Sequence, residues 1–343
     1  MVNVVGIDIG STYTKAICLN GEYKVVGTAV RRTGFKLALA AEGVFDDLLK
    51  NCGLARGDIT YVGATGYGRY TVPFRHAQIT ELTAHAQAAV HLFPDTRTIL
   101  DIGGQDIKAI KVDEQGRVKA FRLNDKCAAG TGAFLEKTAR YLGLTTEDIG
   151  PYAMRSTNPK PISSVCAVFA ESEVINHLSN GIAAEDIMMG AMSSLGGRAI
   201  QLMRRVGLEP GYMLTGGMTR NVAMVLALER ALDAKFNVAP DGLGQLNGAY
   251  GAAYLGLRRV EKLLAEGRPI PPTAAQQGED EKHAKRRWSA MAMTRRHGAS
   301  GAGADDAPAG AGVPGAQPPA RTSGGAAAPV PIHVVPASAA PAG

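Results

Sequence analysis

Short runs rich in Val and Ile alternate with longer segments of helical hydrophobic spacing along roughly the first 260 residues. Val2 to Ile9 predicts a strand that ends in the polar, small-residue segment 8–12, and Tyr13 to Leu19 resumes an extended pattern. These features together predict a β-hairpin. Val25 to Val30 predicts a third strand, and residues 36–52 carry apolar side chains at helical spacing and predict a helix.

The same arrangement returns 93 residues later, where residues 97–100 run into Asp101, Ile102 and Gly103 before an extended segment at 107–112. Two strand–Asp-Ile-Gly–strand units in one chain predict an internal duplication. Each aspartate follows a strand and stands beside a glycine that leaves backbone N–H groups uncovered. Such a turn can bind an anion, and the carboxylate can hold a hydrated divalent cation.

A third strand runs into paired glycines, Gly216 and Gly217, ahead of a helical segment at 222–232. Paired glycines allow the backbone to approach a flat or phosphorylated ligand closely. One such loop is usually just a turn, but three loops placed after strands favour a nucleotide site. Neither a P-loop nor a dinucleotide-binding motif is present in the sequence.

Composition divides the chain of 343 residues unevenly. In the segment 298–343, 32 of 46 residues are Ala, Gly or Pro, which cannot supply a packed core. We predict a disordered tail over 268–343. Half of the net charge of +6 lies after position 266, so the basic balance does not indicate a nucleic-acid partner. Without a membrane-spanning stretch or a signal peptide, we expect a cytoplasmic protein.

Two of the four cysteines precede predicted helices. Cys127 comes before a glycine-rich segment and a helix, and Cys166 comes directly before another helix, where helix dipoles favour thiolates. Cys18 and Cys52 are interpreted as small buried hydrophobic residues. Two thiolates cannot complete a four-ligand site, but a two-fold dimer supplies four, for either a [4Fe–4S] cluster or a zinc site.

The aspartate and glycine loops resemble those of the actin, sugar kinase and Hsp70 superfamily. Segments 124–136 and 163–175, with Asp8–Thr12, 64–69, 101–106 and 215–217, resemble the family of 2-hydroxyacyl-CoA dehydratase activators and benzoyl-CoA reductase ATPase subunits, the BadF/BadG/BcrA/BcrD type. The resemblance implies an α/β protein of the actin-like ATPase fold. Two duplicated RNase H-like α/β domains would then enclose a nucleotide cleft.

The family resemblance also implies the cofactors and partners. Two subunits, identical or paralogous, share one [4Fe–4S] cluster, to which each would contribute Cys127 and Cys166. ATP with Mg²⁺ drives a low-potential electron from ferredoxin or flavodoxin into a CoA-ester-binding reductase or dehydratase. We expect domains at 1–95 with a return near 240–265, at 96–240, and the tail, with neither nucleic acid nor membrane as a partner.

On this interpretation Asp8 and Asp101 hold Mg²⁺ through water, and Gln105 orients the attacking water. Lys15 reaches a phosphate or is a solvated strand lysine. The remaining nucleotide contacts assigned to phosphate are Gly10, Ser11, Thr12, Gly103, Gly104, Gly130, Thr131 and Gly132, and those assigned to adenosine are Gly216, Gly217 and Asn221.

The main functional prediction is the ATP-hydrolysing, electron-transferring subunit of a benzoyl-CoA reductase, because residues 33–37 and 72–75 look more like the reductase branch. The alternative is a homodimeric activator of a 2-hydroxyacyl-CoA dehydratase. A sugar or acetate kinase of the same superfamily is a remoter alternative, since it gives no reason for thiols before two helices.

Overall fold

The chain forms two five-stranded sheets in succession, and the computed structural model describes residues 2–124, 131–162 and 167–277. The strands are β1 (Asn3–Ile9), β2 (Tyr13–Asn20), β3 (Val25–Arg32), β4 (Tyr61–Thr65), β5 (Ala77–Gln78), β6 (Thr98–Ile102), β7 (Ile107–Val112), β8 (Val118–Asn124), β9 (Tyr212–Thr215) and β10 (Asn237–Val238). The helices are α1 (Leu37–Cys52), α2 (Glu81–Leu92), α3 (Gly132–Tyr141), α4 (Ile149–Ala153), α5 (Ala167–Ser179), α6 (Ala184–Arg204), α7 (Val222–Leu232), α8 (Leu243–Ala265) and α9 (Ala274–Gln277).

The two sheets share one topology. The first has the strand order β3-β2-β1-β4-β5, and the second, taken in the equivalent direction, has β8-β7-β6-β9-β10. In each, two antiparallel pairings build the hairpin side and a parallel pairing joins the hairpin's first strand to the next strand. The predicted hairpin, third strand and first helix are confirmed, and the repeated strand order is the structural counterpart of the duplicated sequence motif.

Helices α2 and α8 fill the space between the two sheets. Ala89 of α2 packs in one buried cluster with Ile110 of the second sheet. Ala88 of α2 and Ala249 of α8 pack with Ile17 of the first sheet in another. We call the first sheet with α1 the first lobe, and the second sheet with α3–α7 the second lobe; α2 and α8 therefore contact both.

The outer face of each sheet carries its own hydrophobic core. In the first lobe, Phe45 and Leu48 of α1 pack against Ile7 of β1, and Cys18 lies in the same cluster with Cys52 at its margin, as expected for small buried side chains. In the second lobe, α6 supplies the largest share of the core, including the buried residues Met188, Met189 and Met192.

The chain after α8 returns to the first lobe. Ile270 packs against a cluster that contains Tyr61, and the N–H groups of Ala274 and Ala275 donate to the carbonyl oxygens of Arg75 and Pro73 at 2.8 and 3.0 Å. Ile270, Ala274 and Ala275 therefore contact the first lobe from within the segment predicted as tail. The rest of the predicted tail lies outside the described residues. No helix in the described part of the chain is long and apolar enough to cross a bilayer.

Candidate active site

Asp8 and Asp101 stand at equivalent places in the duplicated fold, near the ends of β1 and β6. Asp8 pairs across the hairpin with Lys15, whose Nζ lies 2.9 Å from Asp8 Oδ2. Asp101 pairs in the same register with Lys108, at 3.3 Å from Nζ to Oδ2. Each aspartate and its lysine are seven residues apart in sequence. That repeated spacing was a usable signal for Lys108, which sequence reasoning missed.

Lys108 is the more enclosed of the two lysines, with a side chain 7% exposed against 16% for Lys15. Its Nζ also lies 2.6 Å from Asp106 Oδ2 and 3.7 Å from Glu81 Oε2. Burial by itself would lower the pKa of Lys108, but Asp101, Glu81 and Asp106 outweigh that effect and raise the pKa well above its usual value. Lys108 is therefore a buried cation held by three carboxylates.

Lys15 is likewise not a solvated strand residue. Burial alone would lower the pKa of its ammonium group, yet the adjacent Asp8 carboxylate raises the pKa overall. Lys15 Nζ also approaches the point where a side chain on Gly10 would begin, at 3.4 Å. Lys15 thus lies beside the first loop, where its ammonium group would attract a phosphate bound by that loop.

A threonine at the end of the adjacent parallel strand accompanies each aspartate. Thr65 of β4 stands beside Asp8, and Thr215 of β9 stands beside Asp101. Thr215 Oγ1 donates to Asp101 Oδ1 at 2.9 Å. Burial by itself would raise the pKa of Asp101, but His85, Lys108 and the Thr215 hydroxyl together lower it below its usual value. Asp101 is consequently held as a carboxylate.

A glycine in the left-handed region follows each threonine. Gly66 has φ of 88° and Gly216 has φ of 92°. A side chain at Gly66 would collide with Asp8 and with the Ile9 carbonyl, and one at Gly216 would collide with the Ile102 carbonyl. Both glycines are therefore required so that the turn after the strand can pass against the aspartate loop.

The two aspartate loops use their first N–H groups in the same way. Gly10 donates to the Tyr13 carbonyl at 3.1 Å and Gly103 donates to the Asp106 carbonyl at 2.9 Å, so these two predicted phosphate donors are committed to the hairpins. The hydrogen bonds among the described residues include none from the N–H groups of Ser11, Thr12, Gly104 or Gln105. These four N–H groups are therefore available to an anion.

The second loop is joined directly to the start of α3. Gly132 N–H donates to the Gly103 carbonyl at 3.1 Å, and Ala133 N–H donates to the Gly104 carbonyl at 2.8 Å. The predicted phosphate contact from Gly132 is therefore not available from its N–H in this arrangement. Thr131 is fully buried at the N-terminal end of α3. Gly130 lies outside the described residues.

The loop predicted to face adenosine has mixed roles. Gly216 N–H donates to the Gly244 carbonyl at 2.9 Å and thereby ties the loop to α8. Gly217 has open space where a side chain would project. Asn221 Oδ1 accepts from Met224 N–H at 3.0 Å, so this side chain caps α7 rather than pointing to a ligand. Gly217 is the best-placed of the three for a ligand.

Of the other predicted site residues, one is exposed and two lie outside the described residues. Gln105 is exposed at the tip of the second loop, beside the free N–H groups. Cys127 and Cys166 lie outside the described residues. The helices that follow them are described: α3 begins five residues after Cys127, and α5 begins directly after Cys166. Lys137 of α3 pairs with Glu171 of α5 at 2.6 Å, so these helices are neighbours.

Two site residues on α2 were not predicted. Glu81 begins the helix after the capping residue Thr80, and its carboxylate reaches toward Lys108. Burial raises the pKa of Glu81, an effect that Lys108 opposes. His85, one turn further, follows no ligand spacing in the sequence, but its Nδ1 lies 3.6 Å from Asp101 Oδ1. The spacing of four between Glu81 and His85 places both on one helix face and was the available signal.

The residues present fit a nucleotide with its Mg²⁺. Thr65 Oγ1, beside Asp8, is buried and has no hydrogen-bond partner among the described residues, as expected for a group that awaits a ligand. The free N–H groups of the two loops suit phosphate oxygens, and two aspartate carboxylates suit a hydrated divalent cation. Within the described ranges, no three His, Cys, Asp or Glu side chains are grouped as direct metal ligands.

A sequence model of the BadF/BadG/BcrA/BcrD ATPase family matches residues 5–256. The chain belongs to this ATPase family. The family match covers both lobes and every aspartate, lysine and threonine of the site. It confirms the family that the sequence motifs indicated.

Curated relatives of this ATPase family include activators and a reductase component. The chain is 42% identical over 257 residues to the "Activator of lactoyl-CoA dehydratase" of Anaerotignum propionicum, covering 75% of this chain and 98% of the relative. It is 36% identical over 288 residues to a subunit of the benzoyl-CoA reductase of Thauera aromatica, covering 80% and 100%. The more similar of these two is an activator, which favours the alternative over the main functional prediction.

A solved structure confirms the fold of this family member. The activator of the 2-hydroxyisocaproyl-CoA dehydratase from Clostridium difficile with bound ADPNP has a TM-score of 0.74 and 39% identity, over 78% of this chain and 99% of that one. The chain therefore has the predicted actin-like ATPase fold with two duplicated α/β halves.

Proposed function

We propose that the protein is the ATP-hydrolysing activator of a 2-hydroxyacyl-CoA dehydratase. It would act as a dimer with one [4Fe–4S] cluster, to which each subunit contributes Cys127 and Cys166. The activators named among its relatives and the duplicated aspartate–lysine site support this assignment. The electron donor would be reduced ferredoxin or flavodoxin.

The attachment of α3 to the second aspartate loop supports a coupling between nucleotide binding and the cluster. The first two N–H groups of α3, from Gly132 and Ala133, bond to carbonyl oxygens of Gly103 and Gly104. A phosphate bound by the neighbouring N–H groups would displace this loop, and α3 would move with it. Because α3 begins five residues after Cys127, loop movement would reach the segment that carries a cluster ligand.

The residues of the site would divide the work on the nucleotide. When bound, Mg²⁺ would supply charge neutralisation for the phosphates. Asp8 and Asp101 would hold its waters, and Lys15 and Lys108 would keep these carboxylates oriented. The N–H groups of Ser11, Thr12 and Gly104 would bind phosphate oxygens, and Gln105 would orient the attacking water.

A component of a benzoyl-CoA reductase is the second candidate function. The identity to the Thauera reductase component is lower, but the similarity extends over 288 residues and the whole of that relative, against 257 residues for the lactoyl-CoA dehydratase activator. The two functions differ in partner and stoichiometry. A dehydratase activator primes a partner that then turns over many times, whereas a reductase component must deliver electrons in every cycle.

Anaerobic purification tests the cluster, and reconstitution tests the partner. We expect Cys127→Ser and Cys166→Ser to abolish iron and acid-labile sulfide while nucleotide binding persists, and the matched Cys52→Ser variant to keep its iron. Full iron in both cluster variants would contradict the assignment. Catalytic amounts of the protein should activate a 2-hydroxyacyl-CoA dehydratase; activity confined to a benzoyl-CoA reductase would establish the second candidate.

A further inference from the structure

His85 lies beside Asp101 in the candidate site, on a helix between the two lobes. It belongs to α2, one turn after Glu81, and its side chain is 9% exposed. Its ring is therefore almost entirely shielded from water. A buried polar ring is stable only where its nitrogens have partners, so the partners of His85 show what it holds.

One ring nitrogen of His85 is linked to Asp101 through a threonine. Nδ1 lies 3.2 Å from Thr215 Oγ1, and Thr215 donates its hydroxyl proton to Asp101 Oδ1 at 2.9 Å. A threonine hydroxyl has a single proton, so His85 donates to Thr215 in the tautomer that carries its proton on Nδ1. In that tautomer the chain of hydrogen bonds runs from Nδ1–H to the hydroxyl and from the hydroxyl to the carboxylate.

Helix α8, which like α2 contacts both lobes, also contacts His85. Asn247 of α8 is completely buried, and its Nδ2 donates to the His85 carbonyl oxygen at 3.2 Å. Nδ2 also lies 3.3 Å from His85 Nδ1, to which it can donate only in the tautomer with no proton on Nδ1. Burying an amide is costly unless it is hydrogen-bonded, and Asn247 Oδ1 has no partner among the described residues, so the amide relies on its bond to His85. Asn247 of α8 therefore fixes the position of His85 on α2.

The duplicated half of the site lacks this support. Thr65, which corresponds to Thr215, has a buried Oγ1 with no partner among the described residues. The fold can therefore form a strand-end threonine beside an aspartate without a histidine. The link from His85 is specific to the second aspartate.

The second nitrogen of His85 and the first aspartate border the same position, Gly248. A side chain added at Gly248 would begin 3.0 Å from His85 Nε2 and 3.1 Å from Asp8 Oδ2. The absence of a side chain at Gly248 leaves a small gap that these two atoms border. His85 Nδ1 thus lies on the Asp101 side of the site, and Nε2 borders the gap at Gly248 that Asp8 also borders.

We propose that His85 is a positioning residue that fixes the Asp101 carboxylate through Thr215, so that Asp8 and Asp101 face one hydrated Mg²⁺ at a set separation. This role rests on the proposed nucleotide site. Loss of a residue that orients a metal-binding group typically weakens metal affinity by about 10- to 100-fold. Nucleotide contacts that do not involve the cation should be unaffected.

Three substitutions of His85 distinguish a role in positioning Asp101 from a role in packing alone. The amide of asparagine reaches the place of Nδ1, whereas that of glutamine reaches the place of Nε2. We therefore expect the gain in affinity for the ATP analogue that Mg²⁺ provides to stay within about threefold of the wild-type gain in His85→Asn. In His85→Gln and His85→Ala this gain should fall by about 10- to 100-fold. The measured quantity is the dissociation constant of a non-hydrolysable ATP analogue by calorimetry, with Mg²⁺ and with EDTA.

His91→Ala is the matched control, since His91 lies on the same helix and makes ring contacts with Tyr250 and Tyr254 away from the aspartates. It should leave both dissociation constants unchanged. Equal weakening with Mg²⁺ and with EDTA in His85→Gln, or no weakening, would overturn the inference. If the wild type shows no Mg²⁺-dependent binding, the proposed function itself fails, which is a distinguishable result.

Discussion

Replacing Lys108 with methionine should destabilise the protein strongly. Methionine keeps most of the length of the side chain but leaves Asp101, Asp106 and Glu81 without the ammonium group that lies 2.6 to 3.7 Å from them. The side chain of Lys108 is 7% exposed, so water cannot take over its role. Removing one partner of a buried ion pair costs about 3–5 kcal/mol. That loss would shift the thermal midpoint by roughly 6–20 °C in a domain of this size.

Thermal unfolding followed by circular dichroism measures this effect. Lys24→Met is the control, because Lys24 pairs with Glu22 at 2.8 Å but is 74% exposed; such surface pairs contribute about 1 kcal/mol or less. Adding Asp106→Asn to Lys108→Met should recover part of the lost stability, since it removes one of the uncompensated carboxylates. A midpoint for Lys108→Met no lower than that of Lys24→Met would refute the account of a buried cation at the site.

Two other outcomes follow from the site geometry. Because the folded-state pKa of Asp101 is lowered, its stabilisation is complete above the unfolded pKa of about 4 and is lost as the pH falls toward the folded-state pKa. The difference in midpoint between wild type and Asp101→Asn should therefore begin to shrink below about pH 5 and keep shrinking below about pH 3; a constant difference would contradict this. Gly66→Ala should cost more than the roughly 1–2 kcal/mol of left-handed strain expected for Gly53→Ala, which has open space; equal midpoints would count against the packing at Gly66.

The parts of the molecule that were predictable from the sequence are those fixed by local pattern. The strands around Asp8 and Asp101 follow from short Val- and Ile-rich runs, and the duplication follows from their shared motif. Lys108 was predictable too, because the Asp-to-Lys spacing of seven occurs twice. That spacing has meaning only when the two lysines are compared with each other.

Other roles depend on contacts between distant residues. His85 is 130 positions from Thr215 and 162 from Asn247, so no local pattern shows that the three meet. The sequence also does not show which polar groups the protein uses in its own hydrogen bonds. Gly132 and Asn221 stand in loops of the right composition for a ligand, yet the N–H of Gly132 and the side chain of Asn221 are used by the protein's own backbone.

The proposed function requires that hydrolysis of ATP at the paired aspartates drives activation of a dehydratase. Anaerobically purified wild type and Asp101→Asn, matched for iron content, are compared for activation of a 2-hydroxyacyl-CoA dehydratase with reductant, with and without ATP. We expect activation by the wild type with ATP, none without ATP, and none by Asp101→Asn despite its intact iron. Equal activation by Asp101→Asn, or activation that needs no ATP, would contradict it.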